Sequence, residues 1–92
     1  MQASDIPALP RGVRRHFDRV RKMQVLLGPE RVLMLDAIGC AVLERVDGVA
    51  SVGTIAATLA SVYNAPKEQI EADVIAYLDD LAGKRLMDVT HG

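Results

Sequence analysis

His16, His91 and Cys40 are the side chains with the most intrinsic reactivity in this chain, and their spacing does not assemble a reaction centre. A catalytic site needs a nucleophile or base, a group that orients it, and a pocket. His16 lies in a basic run, His91 is the penultimate residue, and neither stands at a recognised spacing from Cys40. Cys40 sits in an apolar stretch, where a thiol serves as a small hydrophobe. No Cys, His and Asp residues have the spacing of zinc ligands. The scattered glycines make neither a phosphate loop nor a dinucleotide fingerprint. Asp79 and Asp80 are adjacent carboxylates, but neighbouring helix positions diverge by about 100° and cannot act as a dyad. The expectation is a binding protein, not an enzyme, with no metal and no cofactor.

The elements that would position a binding surface are legible from period and punctuation. Residues 1–12, with Pro7, Pro10 and Gly12, lack a period and are expected to be a flexible N-terminal arm. The rest, 13–92, is expected to be one domain. Val13, Arg15 and Phe17 alternate with Arg14, His16 and Asp18, the period of a strand. Met23 to Leu27 is a second strand, and Gly28-Pro29-Glu30 turns the chain into a third, Arg31 to Leu35. In that third strand Val32 and Met34 point one way and Leu33 and Leu35 the other. Both faces are apolar, so both should be covered, by the core or by a partner.

Asp36 is placed to cap a helix over 37–46, in which Gly39 and Ala41 would let another element approach closely. Asp47-Gly48 ends that helix. Ser51 caps a second helix, whose stripe is Val52, Ile55, Leu59 and Val62. Asn64-Ala65-Pro66 breaks it and starts a third helix at about Lys67, reaching Ala82. Its buried stripe is Ile70, Val74, Leu78 and Leu81, with Tyr77 at the edge and Gly83 as its stop. Leu86 to Val89 is an extended tail. The class is α+β and winged-helix-like, a three-stranded antiparallel sheet followed by a three-helix bundle (β-β-β-α-α-α).

Composition narrows the partners. Phe17, Tyr63 and Tyr77 are the only aromatic residues besides the two histidines, so the core must be aliphatic and a planar ligand would find little to stack on. Residues 1–35 hold seven bases against three acids, and residues 36–92 hold four against nine. Such segregation can steer a charged partner. A winged-helix DNA-binding regulator is one alternative. However, the helix that would read DNA carries Glu68, Glu71, Asp73, Asp79 and Asp80 against Lys67 and Lys84, which opposes phosphate contact. No apolar run approaches the roughly 18 residues of a membrane span. A single cysteine excludes an internal disulfide framework, and the natural compartment is the reducing cytoplasm. What remains is protein or peptide binding, in which a flexible segment adds itself to an open sheet edge. A second copy could use the same edge, or exchange hairpins, to form a homodimer.

The order of local motifs resembles a known family. Leu9-Pro10-Arg11-Gly12-Val13-Arg14 is similar to its N-terminal signature, and Leu26-Leu27-Gly28-Pro29-Glu30-Arg31-Val32-Leu33 to its central block. Asp47-Gly48, Asp73-Val74 and Leu78-Asp79-Asp80-Leu81 complete the match over nearly the whole chain. Asp36 stands where asparagine is frequent, and Gly28 where a bulkier residue is common. The family is PqqD, of pyrroloquinoline quinone (PQQ) biosynthesis. The resemblance implies a peptide-recognition element that binds the precursor peptide PqqA and presents it to the radical-SAM enzyme PqqE. It implies a site along Arg31, Val32, Leu33, Met34 and Leu35, and in a groove lined by Asp73, Tyr77 and Asp80 over Ile70 and Val74. Arg14, Arg15 and Arg19 are candidates for contact with PqqE or with peptide acids. Carriage of the quinone product is the alternative within the family.

Overall fold

The computed structural model describes residues 1–91. The order is β1 (Ile6–Ala8), β2 (Arg14–Asp18), β3 (Met23–Leu27), β4 (Val32–Met34), α1 (Ala37–Leu43), α2 (Val52–Tyr63), α3 (Lys67–Gly83) and β5 (Asp88–Thr90). The expected three strands and three helices are present in sequence order as β2-β3-β4 and α1-α2-α3. The third strand of the sequence reading is β4.

Residues 1–12, expected as a flexible arm, instead supply a strand. β1 pairs antiparallel with β5, with Pro7 opposite Val89. The tail after Lys84 is therefore also structural. Asp5, just before β1, is 3% exposed. Its carboxylate accepts from the Gln2 amide at 2.8 Å and meets His91 Nδ1 at 3.0 Å. Its carbonyl accepts from the Val52 amide at 2.9 Å, which fastens the segment to the start of α2. Each of these strands has three residues and their pairing spans the chain, so no local period could reveal it.

Helix starts follow their caps. Asp36 accepts from the Gly39 amide at 2.7 Å, and Ser51 from the Thr54 amide at 3.2 Å. α1 stops at Leu43, short of the expected 46, and Asp47 accepts from Val49 and Ala50 amides in the following turn. α2 ends on Asn64 in the left-handed region, a conformation its short amide tolerates. Pro66 sits one place before α3, as its cap residue. The end of α3 differs from expectation. Gly83 is the last helical residue, and the left-handed position falls on Arg85, φ 61°. The Leu86 amide bonds the Leu81 carbonyl at 2.9 Å and the Arg85 amide bonds that of Ala82 at 3.0 Å. These two bonds define a Schellman turn, and its companion apolar contact is available from buried Leu81 and Leu86.

The core is aliphatic. Val42, Leu43, Ile55, Leu59, Val74, Leu78 and Leu81 join the three helices, and Leu26 and Leu35 bring in the sheet. Val62, placed in the buried stripe by its spacing, is exposed: the face of α2 that packs is carried by Val52, Ile55, Ala56, Leu59 and Ala60. The sheet order is β2-β3-β4, which leaves β2 and β4 as edges. On its outer face Val25 lies opposite Met34 and Leu27 opposite Val32. Val25 is buried there outside the helical core, while Val32 and Met34 are 54% and 63% exposed. Within the chain, then, one face of β4 is covered and the other is not.

Candidate functional site

A groove of about 290 Å³ opens between the three helices. Its floor is aliphatic: Val42, Leu59 and Val74 are buried beneath it, and Ile70 and Ala41 close it partly. Ile38 and Tyr63 stand at its mouth, exposed. Asp36 on the α1 side and Asp73 on the α3 side bring carboxylates to the lining. Tyr77 completes the α3 wall, because Ile70, Asp73, Val74 and Tyr77 recur at three- and four-residue intervals along one helix face.

Gly39 admits Tyr77 to this position. A Cβ at Gly39 would lie 2.7 Å from the tyrosine oxygen and 3.2 Å from Cζ, so only a glycine lets the ring lean on α1. Burial holds the Tyr77 phenol above the usual tyrosine value, with further upward pushes from Asp36, Cys40 and Asp80. The phenol is protonated at neutral pH and can donate a hydrogen bond. The charges of Asp36 and Asp80 are thus felt at the tip of the ring.

Four of the predicted helix positions, Ile70, Asp73, Val74 and Tyr77, come together in the groove. Asp80 does not line it. It lies one turn further on, exposed, and accepts from Lys84 Nζ at 2.5 Å. Arg31 to Leu35 do not line it either, but β4 runs through Leu35 directly into Asp36 of the groove wall. Sequence reasoning took Asp36 only as a cap and did not place Ile38, Leu59 or Tyr63 at a site. The small residue at Gly39 was the one local sign of a close approach.

The direction of the main-chain groups on β4 follows from the ladder. The Leu35 amide donates to the Gln24 carbonyl at 3.0 Å, and the Gly28 amide to the Arg31 carbonyl at 2.9 Å. Hydrogen bonding alternates along an antiparallel pair, so Arg31, Leu33 and Leu35 turn their polar backbone groups toward β3. Val32 and Met34 turn theirs outward, to an edge on which no described strand pairs. This edge can accept a strand.

Arg14, Arg15 and Arg19 are exposed on β2 and the turn after it, apart from the groove. Arg19 borders a second hollow of about 490 Å³, together with Phe17, Val20 and Val32. Among the described residues no group of three His, Cys, Asp or Glu is placed to hold a metal, and no helix is long and apolar enough to cross a membrane.

Comparison with known proteins places this geometry. Residues 24–87 match the family model described as coenzyme PQQ synthesis protein D (PqqD). A PqqA binding protein of Xanthomonas axonopodis pv. citri is 51% identical over 81 residues, covering 88% of each chain. A bifunctional coenzyme PQQ synthesis protein C/D of Methylorubrum extorquens is 49% identical over 85 residues. That match covers 92% of this chain and 23% of the bifunctional protein, so the chain spans about a quarter of that relative. A solution NMR structure of the PqqD part of PqqCD from Methylobacterium extorquens is similar at a TM-score of 0.82 and 48% identity. The similarity covers 95% of this chain and 93% of that one, which is described as a functional, stand-alone recognition element for ribosomally synthesized and post-translationally modified peptides. The family model spans most of the chain and the relatives are nearly half identical to it: the chain belongs to the PqqD family.

Proposed function

We propose that this chain binds the precursor peptide PqqA in the cytoplasm and presents it to the radical-SAM enzyme PqqE, as a carrier and not as a catalyst. The observation that carries this reading is the outward main chain of Val32 and Met34, continuous through Asp36 with an apolar groove. An extended peptide gains backbone hydrogen bonds on such an edge, and a neighbouring groove takes its side chains. The name PqqA binding protein, carried by relatives 51% and 47% identical, supports the same reading. In it Arg31, Val32, Leu33, Met34 and Leu35 form the strand. Ile70, Asp73, Val74 and Tyr77 form the groove, and Asp80 flanks it.

A flexible peptide loses ordering entropy on docking, so a Kd on the order of 1 μM, about 8 kcal/mol, is expected. Holding PqqA and PqqE at once raises the local concentration of one beside the other. Arg14, Arg15 and Arg19 lie on the opposite edge strand and its turn, which leaves them accessible to the enzyme while β4 is occupied. A second copy pairing on β4 would form a homodimer that competes with the peptide.

An amide NMR titration with PqqA tests the reading. Shifts concentrated at Arg31–Leu35 and along the Ile70–Tyr77 face of α3 are expected. A titration that leaves these amides unmoved at millimolar peptide would overturn it.

A further inference from the structure

Two acidic residues, Asp36 at the start of α1 and Asp73 on α3, line the groove, and no lysine, arginine or histidine is among its lining residues. Among the described residues neither carboxylate enters a salt bridge. Asp36 accepts from the Gly39 amide and Asp73 from the Gln69 side-chain amide, and both donors are uncharged. Neither negative charge is therefore paired with a cationic side chain, although the α1 N-terminus partly offsets that of Asp36. Asp80 is different, because Lys84 already occupies it.

We propose that the groove selects a peptide segment in which an apolar side chain is followed or preceded closely by a lysine or arginine, the cation being read by Asp36 and Asp73. This rests on the peptide-binding reading and adds the chemistry of the segment to it. The apolar side chain takes the floor between Val42, Leu59 and Val74. The cation stays at the wet rim, where opposite charges recognise each other without full desolvation. Charge complementarity decides the class. An acidic peptide would meet two like charges and no counter-charge at this groove, although the basic β2 edge lies elsewhere on the same molecule. The Tyr77 hydroxyl, which lines the same groove and leans on Gly39, adds a neutral donor there.

The test is calorimetry of the full chain at low salt with PqqA, and with PqqA in which every lysine and arginine is replaced by glutamine. Asp36→Asn keeps a capping side chain and Asp73→Asn keeps the shape of the helix surface, so both variants fold. Each is expected to weaken PqqA binding by about 2- to 5-fold, with the loss shrinking as salt is raised. The glutamine peptide is expected to bind wild type and both variants alike. Asp88→Asn, on β5, is the control and leaves binding unchanged. If PqqA binds wild type and the D36N/D73N double variant equally, the charge selection is wrong and the carrier reading stands. If the double variant weakens PqqA and the glutamine peptide by the same factor, the aspartates act structurally and the inference again falls. If wild type fails to bind PqqA at all, the carrier reading itself falls.

Discussion

The hydroxyl of Tyr77 occupies the space that a side chain on Gly39 would need, with 2.7 Å between its oxygen and the missing Cβ. α1 and α3 are thus keyed together at the groove wall by one glycine and one tyrosine. Gly39→Ala should push the ring out of its place. Overpacking of this kind costs about 1–3 kcal/mol, which exceeds the gain of under about 1 kcal/mol from alanine in a helix. Thermal melts should show a loss of stability, and calorimetry a weaker PqqA complex. On a Tyr77→Ala background the same substitution should be neutral or stabilising, since the ring is no longer there to collide.

Strand addition should depend on Met34 and not on Leu33. The Leu33 amide faces β3, so Leu33→Pro damages the sheet itself and tests nothing about the edge. The Met34 amide faces outward, and proline is tolerated at such an edge position. Met34→Pro should keep the fold, read by circular dichroism, and lower PqqA affinity by roughly the 5- to 10-fold that one lost hydrogen bond implies. Undiminished affinity in the folded variant would mean that the peptide does not pair there.

Stability should decline on the acid side. The Gln2 amide first, then His91, hold the Asp5 carboxyl below its ordinary value of 3.8. Arg21 does the same for Asp18, and the Ala50 and Val49 amides for Asp47. Each group binds its proton more weakly folded than unfolded, so its contribution is complete above the unfolded value. It is lost as pH falls through the folded value. Melting temperature should be flat between pH 5 and 7 by these three groups and drop below about pH 4. Asp5→Asn should lower the melting temperature at pH 7 and flatten the acid limb.

Arg85→Gly should stabilise the chain. A non-glycine residue in the left-handed region costs about 1 kcal/mol, and the Schellman turn after α3 imposes that region on Arg85. A gain of about 0.5–1 kcal/mol in urea unfolding is expected, with PqqA affinity unchanged.

The fold was legible where the signal was local. Asp36 and Ser51 announce their helices because a cap acts within three residues. The β3–β4 hairpin was legible because Gly28-Pro29-Glu30 leaves the chain little else to do. The pairing of β1 with β5 was not, since Pro7 reads as a breaker and its partner Val89 lies at the far end of the chain. Gly83 reads as the stop of α3 because glycine favours the left-handed region, but the register of Leu86 on Leu81 sets that position two residues later, at Arg85. At the groove, helical spacing marks Ile70 and Val74 as a stripe with Tyr77 at its edge, and Asp73 enters only through the family resemblance; all four line the groove. Asp36, Ile38 and Tyr63 were not legible there, because a groove wall made by three helices depends on how they pack. Val32 and Met34 were recognised as surplus apolar residues. That their backbones face outward while the Leu33 backbone faces inward required the ladder.

The antiparallel clasp of Ile6–Ala8 on Asp88–Thr90 sets the strand by which the chain enters this domain beside the strand by which it leaves. A module closed in this way can be hung from a host by either extremity, or spliced into a surface loop at a single point, without stretching its scaffold. Re-cutting the ring at the turn after Asp47 and bridging the clasp with a short linker should yield a permuted carrier whose groove is intact.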